Sequence, residues 1–275
     1  MLPPVNLYDP VNRSHPLNAG RVAWWLIVPG LDGGKTWYDL MGLYHGALTN
    51  MDSASGWRKS SRQGAFGDMQ FDGSNDVVTV TNRAPLQLSG NLSIAVTLTP
   101  TAFATSTNYH FAGALEKGSG GSVNYLIGLT ALTKTGAISS AMFQHMNSGF
   151  TLKQATGSVL STGVPYRLTG TYDGSNIRLY TNGVLSATTA QTSGTLTSSG
   201  NVSIGRSVYD ASALRFVNGL IDNVSIWNRA LSAAEVLADY ELSRREYPGV
   251  LNRLESIRFP SGATTNRRRR FLAAA

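Results

Sequence analysis

The sequence predicts an all-β protein, an antiparallel two-sheet sandwich with one C-terminal helix and extended N- and C-terminal arms. From Gln70 to Trp227, segments that alternate apolar and polar residues follow one another at short spacing, without a helical pattern between them. Turn residues mark the joints, and Asn182-Gly183 predicts a two-residue hairpin. Two packed antiparallel sheets bury the apolar faces of strands that lie so close together in sequence.

The first strand is expected at residues 22–28, VAWWLIV, which is the longest apolar run. This run is far too short to span a bilayer, which takes roughly 20 apolar residues, so no membrane span is expected. A turn at Asp32-Gly33-Gly34 and a short strand follow. Further strands are expected in QFDG, DVVTVT, LSIAVTLTP, NYHFAGALEK, NYLIGLTAL, AISSAMFQHM, YRLTGTYDG, IRLYTNGVLSATT, VSIGRS and FVNGLIDNVSIW.

The helix is expected after the last strand. Asn228-Arg229 breaks the strand pattern, and Ser232 then opens S-A-A-E with Glu235 three residues on. This is the spacing of a capping box, which satisfies free backbone N–H groups at a helix start. The helix should run from about Ala233 to Tyr247, where Pro248-Gly249 stops it.

Composition limits the class of protein. The chain has 275 residues, 42% of them hydrophobic, which is enough for a sizeable core. Cysteine is absent, which excludes disulfides and thiolate sites. The first residues lack a basic segment followed by an apolar run, so no signal peptide is expected and synthesis should be cytoplasmic.

The net charge is distributed unevenly along the chain. Eight arginines and three glutamates from Glu241 onward give +5, whereas 15 basic and 13 acidic residues before it give +2. The basic character therefore belongs to the C-terminal end. We expect four parts: an extended N-terminal arm (1–20), the sandwich (21–231), a capping helix (232–247) and a basic C-terminal arm (248–275).

Five motifs in order carry a family resemblance: FDGSNDVVTV (71–80), LSIAVTLTP (92–100), YRLTGTYDGSNIRLYTNGVLSATT (166–189), NVSIGRS (201–207) and GLIDNVSIWNRALSAAEV (219–236). Together they resemble the laminin-G-like, concanavalin A-like jelly-roll domain of bacterial and phage proteins, over about residues 21–238. The resemblance implies two facing antiparallel sheets and roles in adhesion, glycan or protein binding, or structure. It implies catalysis only where dedicated acids are present.

Such acids are missing from the sequence. Glycosidases use two carboxylates roughly 5–10 Å apart, and the related sandwich enzymes carry them as E-x-D-x-E on one strand. This chain has no such motif, and Glu116 is the only glutamate between residues 21 and 231. We therefore expect the protein not to be an enzyme.

The resemblance also implies a structural Ca²⁺ ion between an early strand and the penultimate one. The matching positions are Asp72 and Asp222, and Asp76 could contribute. Calcium takes six to eight oxygen ligands, often carboxylates. In the alternative interpretation, Asp72 and Asp76 form turns by hydrogen bonding to their own backbone, and Asp222 is bonded to neighbouring N–H groups.

Glycan binding would use aromatic side chains near Gly-, Ser- and Asn-rich turns. The candidates are Tyr109, Tyr125, Phe150 and Tyr209. In the alternative interpretation, these rings belong to the core or to surface without a ligand.

The end of the chain offers a second contact region. Its residues are Arg267, Arg268, Arg269, Arg270 and Phe271. The arginines could neutralise nucleic-acid phosphates, dock on an acidic patch of a neighbouring subunit, or remain solvated. Phe271 would add an apolar anchor and favours docking.

Two functional hypotheses follow. The first is a non-catalytic structural protein of a virion, such as a phage capsid decoration or fibre-like component, whose arms join it to its own copies or to other capsid proteins. The second is a stand-alone carbohydrate-binding, lectin-like adhesion module. Surface glycans are partners under both hypotheses, and nucleic acid would be a partner only through the arginine run.

Overall fold

The structure, a computed structural model, describes residues 11–27, 34–51, 56–58, 67–105, 111–119, 122–208 and 216–244. The predicted C-terminal arm, with Arg267–Phe271, lies outside these ranges. Tyr109 and Tyr209 also lie outside them.

The described strands form two antiparallel sheets of eight strands each. The first sheet contains β1 (Arg21–Leu26), β4 (Trp57–Arg58), β5 (Asp68–Asp72), β7 (Leu92–Pro100), β12 (Tyr166–Tyr172), β13 (Asn176–Thr181), β14 (Val184–Ala190) and β16 (Asn218–Trp227). Its order is β14-β13-β12-β7-β16-β5-β4, and β1 pairs with the second half of β16.

The second sheet contains β2 (Thr36–Trp37), β3 (Gly46–Thr49), β6 (Val77–Val80), β8 (Phe111–Ser119), β9 (Ser122–Ala131), β10 (Ile138–Met146), β11 (Leu152–Val159) and β15 (Val202–Ile204). Its order is β11-β10-β9-β8-β15-β6-β3-β2. The chain crosses between the sheets several times, so strands distant in sequence become neighbours. The predicted two-sheet sandwich is confirmed.

The core lies between the two sheets and is built by residues at every second strand position. Ile94 and Val96 of β7 point into it, as do Ile177 and Leu179 of β13, and all four are buried. Close packing demands a glycine at position 170, because a Cβ atom there would lie 2.4 Å from the ring of Phe143 in the opposite sheet. Strand periodicity thus sets which residues form the core.

The predicted hairpin joins β13 to β14. Asn182 and Gly183 both have positive φ angles, 54° and 80°. Asn and Gly tolerate this conformation better than other residues, and the resulting backbone twist matches that of the two strands. The Asn-Gly prediction is therefore confirmed.

The helix α1 (Ala233–Ser243) begins where the sequence predicts. The Ser232 hydroxyl accepts the Glu235 N–H at 3.3 Å, and Glu235 Oε2 accepts the Ser232 N–H at 2.9 Å, which completes the capping box. Hydrogen bonding from Arg229 contributes most to lowering the pKa of Glu235 to about 2. The helix ends at Ser243, short of the expected Tyr247, and Pro248-Gly249 lies outside the described residues. No helix in the described ranges is long and apolar enough to cross a membrane.

The helix covers the outer face of the first sheet, which is the face turned away from the second sheet. Ala95 alternates with the core residues Ile94 and Val96, and with Trp227 and Val236 it forms a separate buried cluster. The first sheet is therefore packed on both faces. This explains why Ala95 of β7 and Trp227 of β16 are buried although they lie on the outer face.

Residues 11–20 also pack on the sandwich, which differs from the predicted extended arm. Val11 and Leu17 are buried, and residues Pro16–Asn18 form a 3-10 turn. The indole N–H of Trp227 donates to the Leu17 carbonyl oxygen at 2.7 Å. A buried indole needs an acceptor, and this segment supplies one.

A buried ionic network ties the helix to the sheet. Asp239 of α1 accepts from Arg167 Nε of β12 at 2.9 Å and lies 3.5 Å from Arg21 Nη2 of β1. All three side chains are almost completely buried. The Arg21 guanidinium also lies 4.3 Å and 4.7 Å from the ring centroids of Trp24 and Trp227.

Substituting Asp239→Asn should strongly destabilise the fold, because it removes the buried carboxylate that forms ion pairs with the guanidinium groups of Arg167 and Arg21. Removing one partner of a buried ion pair typically costs about 3–5 kcal/mol in free energy of unfolding. Urea denaturation measures this change. Glu241→Gln removes one negative charge from the same helix outside the network and should change stability little. A loss below about 1 kcal/mol for Asp239→Asn would contradict the structural role of the network.

His145 is a buried, uncharged histidine at the end of β10. Its ring stacks on Tyr172 with 4.2 Å between ring centroids, and Nε2 lies 3.1 Å from the Thr195 hydroxyl. That hydroxyl donates to the Gly90 carbonyl oxygen, so it accepts from Nε2–H. Nδ1 has no hydrogen-bond partner among the described residues. Burial lowers the pKa of His145 from 6.5 to about 4.

Acid should therefore destabilise the protein in a defined pH window. Between pH 6.5 and 4 the unfolded chain protonates this imidazole and the folded chain does not, so stability falls as the pH falls. The lowered pKa of His145 corresponds to a loss of about 3 kcal/mol in the free energy of unfolding by pH 4. Urea denaturation at several pH values measures the loss, and the His145→Phe variant, which keeps an aromatic ring beside Tyr172, should lack this part of the slope. If the free energy of unfolding changed equally with pH in the unaltered protein and in His145→Phe, this account would be refuted.

Candidate functional site

Asp72 and Asp76 lie together in the turn between β5 and β6. Asp72 Oδ1 accepts the N–H groups of Ser74 at 2.7 Å and Asn75 at 3.2 Å. Asp76 Oδ2 accepts the N–H of Asp72 at 2.8 Å, and burial raises the pKa of Asp76. These bonds make both carboxylates part of the turn, as the alternative sequence interpretation describes.

Asp222 lies elsewhere on the sheet. Strand pairing places Asn218 opposite Asp72, so Asp222 is four positions farther along β16, roughly 14 Å at 3.4 Å per residue. The described residues contain no group of three or more His, Asp or Glu side chains placed to hold a metal. The three aspartates therefore do not fit a shared calcium site, because strand register separates the third from the first two.

The predicted aromatic platform does not assemble from the described candidates. Tyr125 is fully buried in the core, where its hydroxyl donates to the Leu86 carbonyl oxygen at 3.3 Å. This corrects its expected place at the surface, since it takes an inward position of β9. Phe150 is 68% exposed, at φ 58°, in a turn that the Asn147 side chain braces by accepting two N–H groups.

A cavity of about 350 Å³ opens beside the C-terminal end of α1, on the outer face of the first sheet. The side chains around it come from β7, β12, the β13–β14 turn, the segment before β12 and the helix. They are Thr97, Val164, Pro165, Arg167, Asn182, Tyr240, Ser243 and Arg244. The sequence analysis did not identify this site, although the Asn-Gly turn that it predicted supplies one of the walls.

Arg167 forms the buried part of the cavity wall. Besides its bond to Asp239, its Nη1 donates to the Asn223 carbonyl oxygen at 2.7 Å and to Thr97 Oγ1 at 3.3 Å. Its backbone N–H donates to Asn182 Oδ1 at 2.8 Å. These contacts hold both Arg167 and Asn182 in fixed positions.

The turn and the helix are in direct contact beside the cavity. A Cβ atom at Gly183 would lie 2.9 Å from Leu237 Cδ1 and 3.2 Å from Tyr240 Cδ1. Only a glycine allows this approach without displacing the helix. The cavity therefore keeps its shape because two rigid elements touch at its edge.

Tyr240 and Arg244, one helical turn apart, form the outer rim. The Arg244 guanidinium lies 5.6 Å from the centroid of the Tyr240 ring. Val164 and Pro165 add apolar surface on another side. The lining thus offers an aromatic ring, an amide, hydroxyls and two guanidinium groups, and no carboxylate. Such a site is suited to binding an acceptor-rich molecule with an apolar face, and it lacks a general acid or base.

The fold defines a lectin-like sandwich, and its helix-covered face carries a cavity. Residues 72–237 match the model of the concanavalin A-like lectin/glucanase superfamily, a laminin-G-type family, and the chain belongs to this family. The match covers more than half of the chain and includes the turn at Asp72 and the first five residues of α1.

Solved structures agree on the fold. Domain 4 of the extracellular arabinanase AbnA from Geobacillus stearothermophilus, in complex with arabinotriose, has a TM-score of 0.53 at 18% identity and covers 81% of this chain and 98% of that domain. The binding domain of Paraclostridial mosquitocidal protein 1 has a TM-score of 0.58 at 13% identity, covering 82% of this chain and 52% of that chain.

A sialidase from Trypanosoma rangeli has a TM-score of 0.57 at 15% identity and covers 81% of this chain. The match covers only 32% of the sialidase. No curated protein matches the chain in sequence. At these identities the similarity establishes the fold.

Proposed function

We propose that this protein is a non-catalytic carbohydrate-binding protein and that the cavity beside α1 is its saccharide site. The observation that carries the proposal is the lining of the cavity. An aromatic ring, an amide, hydroxyls and guanidinium groups surround it, and none of its residues is acidic. The structural similarity to a domain solved with arabinotriose supports the same class of ligand.

The chemistry of the lining matches that of a sugar. A pyranose ring has apolar C–H faces that pack on an aromatic ring such as Tyr240, and its hydroxyls pair with amide and guanidinium donors. The volume of about 350 Å³ lies near the lower end of the usual range for small-molecule sites. We therefore propose that the site takes one or two sugar units at the end or along the side of a glycan.

The absence of catalysis is part of the proposal. Glycoside hydrolysis needs two carboxyl groups on either side of the scissile bond. The cavity lining offers neither an acid nor a nucleophile. Asp239, behind the cavity wall, is engaged by two guanidinium groups. These observations support binding without cleavage.

Presentation of the sandwich on a virion also remains a proposal. It is supported by the amino-acid sequence, in which the basic character is concentrated from Glu241 onward in a segment that includes four consecutive arginines and Phe271. In this proposal the C-terminal arm joins subunits or attaches to other capsid proteins, and the sandwich faces outward. A stand-alone adhesion module is the competing proposal.

Substituting Tyr240→Ala should weaken saccharide binding about tenfold or more, because stacking on an aromatic ring contributes on the order of 1–3 kcal/mol. A glycan array identifies the ligand, and isothermal titration calorimetry with that ligand measures the loss. Tyr38→Ala, which removes a 41% exposed tyrosine outside the cavity, is the matched control and should bind normally. Thermal unfolding of both variants verifies that they fold. Failure of the intact protein to bind any glycan, or full binding by Tyr240→Ala, would contradict the proposed site.

Removing the ends of the chain tests the assembly proposal. Because residues 11–20 pack on the sandwich, the deletion should cover residues 1–10 and 248–275 only. Under the virion proposal the full chain is oligomeric or binds capsids and the truncated chain is a folded monomer, as measured by light scattering after size-exclusion chromatography. A monomeric full chain that binds glycans would instead support the stand-alone module.

A further inference from the structure

We propose that residues 245–259 of this chain dock on an exposed apolar surface where α1 meets the β13–β14 hairpin. This surface, the helix–hairpin corner, is formed by Leu185 and Leu237, with Val164 and Val184 beside them. The proposal concerns a partner from the same chain and does not depend on what the neighbouring cavity binds.

Exposed apolar side chains are concentrated at the helix–hairpin corner. Nine large hydrophobic residues are exposed in the described part of the chain, and the corner contains four of them. The other five are distributed over the β2–β3, β9–β10 and β10–β11 connections and the end of β11. Scattered apolar residues are normal on a protein surface, whereas a cluster indicates an interaction site.

Strand pairing and one close contact place the two leucines on the same face of the sandwich. Leu185 is paired with Tyr180, and directly paired residues point to the same face of a sheet. Tyr180 belongs to the buried cluster that includes Val236 of α1. A Cβ atom at Gly183 would lie 2.9 Å from Leu237 Cδ1, so both leucines border the contact between hairpin and helix. Leu185 is 52% exposed and Leu237 is 47% exposed.

The outward face of α1 has few charges for a helix surface in water. Its residues at helical spacing are Ala234, Leu237, Ala238 and Glu241, and the first three are exposed. Helix faces in contact with solvent usually carry polar and charged side chains. The composition of this face therefore favours contact with another apolar segment.

The chain supplies such a segment next to the corner. α1 ends at Ser243, and Ser243 and Arg244 both line the cavity that the hairpin borders, so the following segment starts there. It contains the turn signal Pro248-Gly249 and then VLNRLESIRF (250–259), in which five of ten residues are large and apolar.

The distances allow this segment to return to the corner. Leu237 lies seven residues before Arg244, which is about 10 Å along a helix. Residues 245–249 can span up to about 17 Å when extended, so residues from position 250 onward reach Leu237. Such a short tether holds the segment beside the corner at an effective concentration on the order of millimolar. Docking within one chain is therefore favoured over docking on a second copy in dilute solution.

A single spin label tests the docking in the full chain. The chain has no cysteine, so Ser256→Cys provides one attachment site for a nitroxide. We expect the label to cause loss of the backbone amide NMR signals of Gly183, Leu185 and Leu237. The signal of Phe150, in the turn at the opposite end of the sandwich, should remain. The same protein with its nitroxide reduced gives the reference spectrum.

Substituting Leu237→Gln in the labelled chain should restore the signals of Gly183 and Leu185, because it removes apolar surface from the corner. Leu43→Gln changes another exposed leucine, in the β2–β3 connection at the far edge of the second sheet, and is the matched control. It should leave the signal loss unchanged. Thermal unfolding verifies that both variants fold.

A mixture of two proteins separates docking within one chain from docking between copies. One protein carries the label without ¹⁵N, and the other carries ¹⁵N without the label. We expect this mixture to keep all its signals. Signal loss in the mixture would overturn the proposal, because the segment would then dock on another copy.

Two other results would also overturn the proposal: intact signals of Gly183, Leu185 and Leu237 in the labelled chain, or an equal signal loss with and without Leu237→Gln. Should Leu237→Gln misfold, the labelled chain and the mixture decide without it. None of these measurements involves a glycan, so a failure of carbohydrate binding would leave this proposal unaffected.

Discussion

The carboxylate of Asp239 is the constraint on which the helix-covered face of this sandwich depends. It lies on α1 and pairs with arginines from β1 and β12, and all three side chains are almost completely buried. Because both arginines would be costly to bury alone, helix and strands must dock in one relative position. The same contact fixes the guanidinium of Arg167, which forms part of the cavity wall. The ion pair of Arg167 and Asp239 thus contributes both to the stability of the fold and to the wall of the proposed binding site.

The cavity lies where the β13–β14 turn, α1 and the chain before β12 meet. The β13–β14 turn touches α1 at Gly183, and the chain before β12 passes beside it without filling the space. Sandwiches of this family share a core, so a site built at the junction of helix and hairpin can change without disturbing that core. Binding chemistry on a stable scaffold commonly has this arrangement.

Local signals in the sequence predicted most of the architecture and little of the site. The capping box at Ser232 and the Asn182-Gly183 hairpin were recognised because each acts through backbone groups only a few residues away. Tyr125 was misplaced because NYLIGLTAL is mostly apolar on both faces of the strand and does not reveal which face points inward. Asp72 and Asp222 were grouped because the family resemblance implied an ion between them, and the strand register that separates them is not readable from one sequence. Arg167 and Asp239, 72 residues apart, meet only through the fold.

The pairing of β1 with β16 has a consequence for how the chain is made. Arg21 lies opposite Trp227, and its counter-charge Asp239 is 218 residues away in sequence. During synthesis the apolar strand VAWWLIV therefore leaves the ribosome long before its partner strand exists. Contacts of such large sequence separation form late and slow folding. Until β16 has been made, this strand exposes apolar surface that favours aggregation.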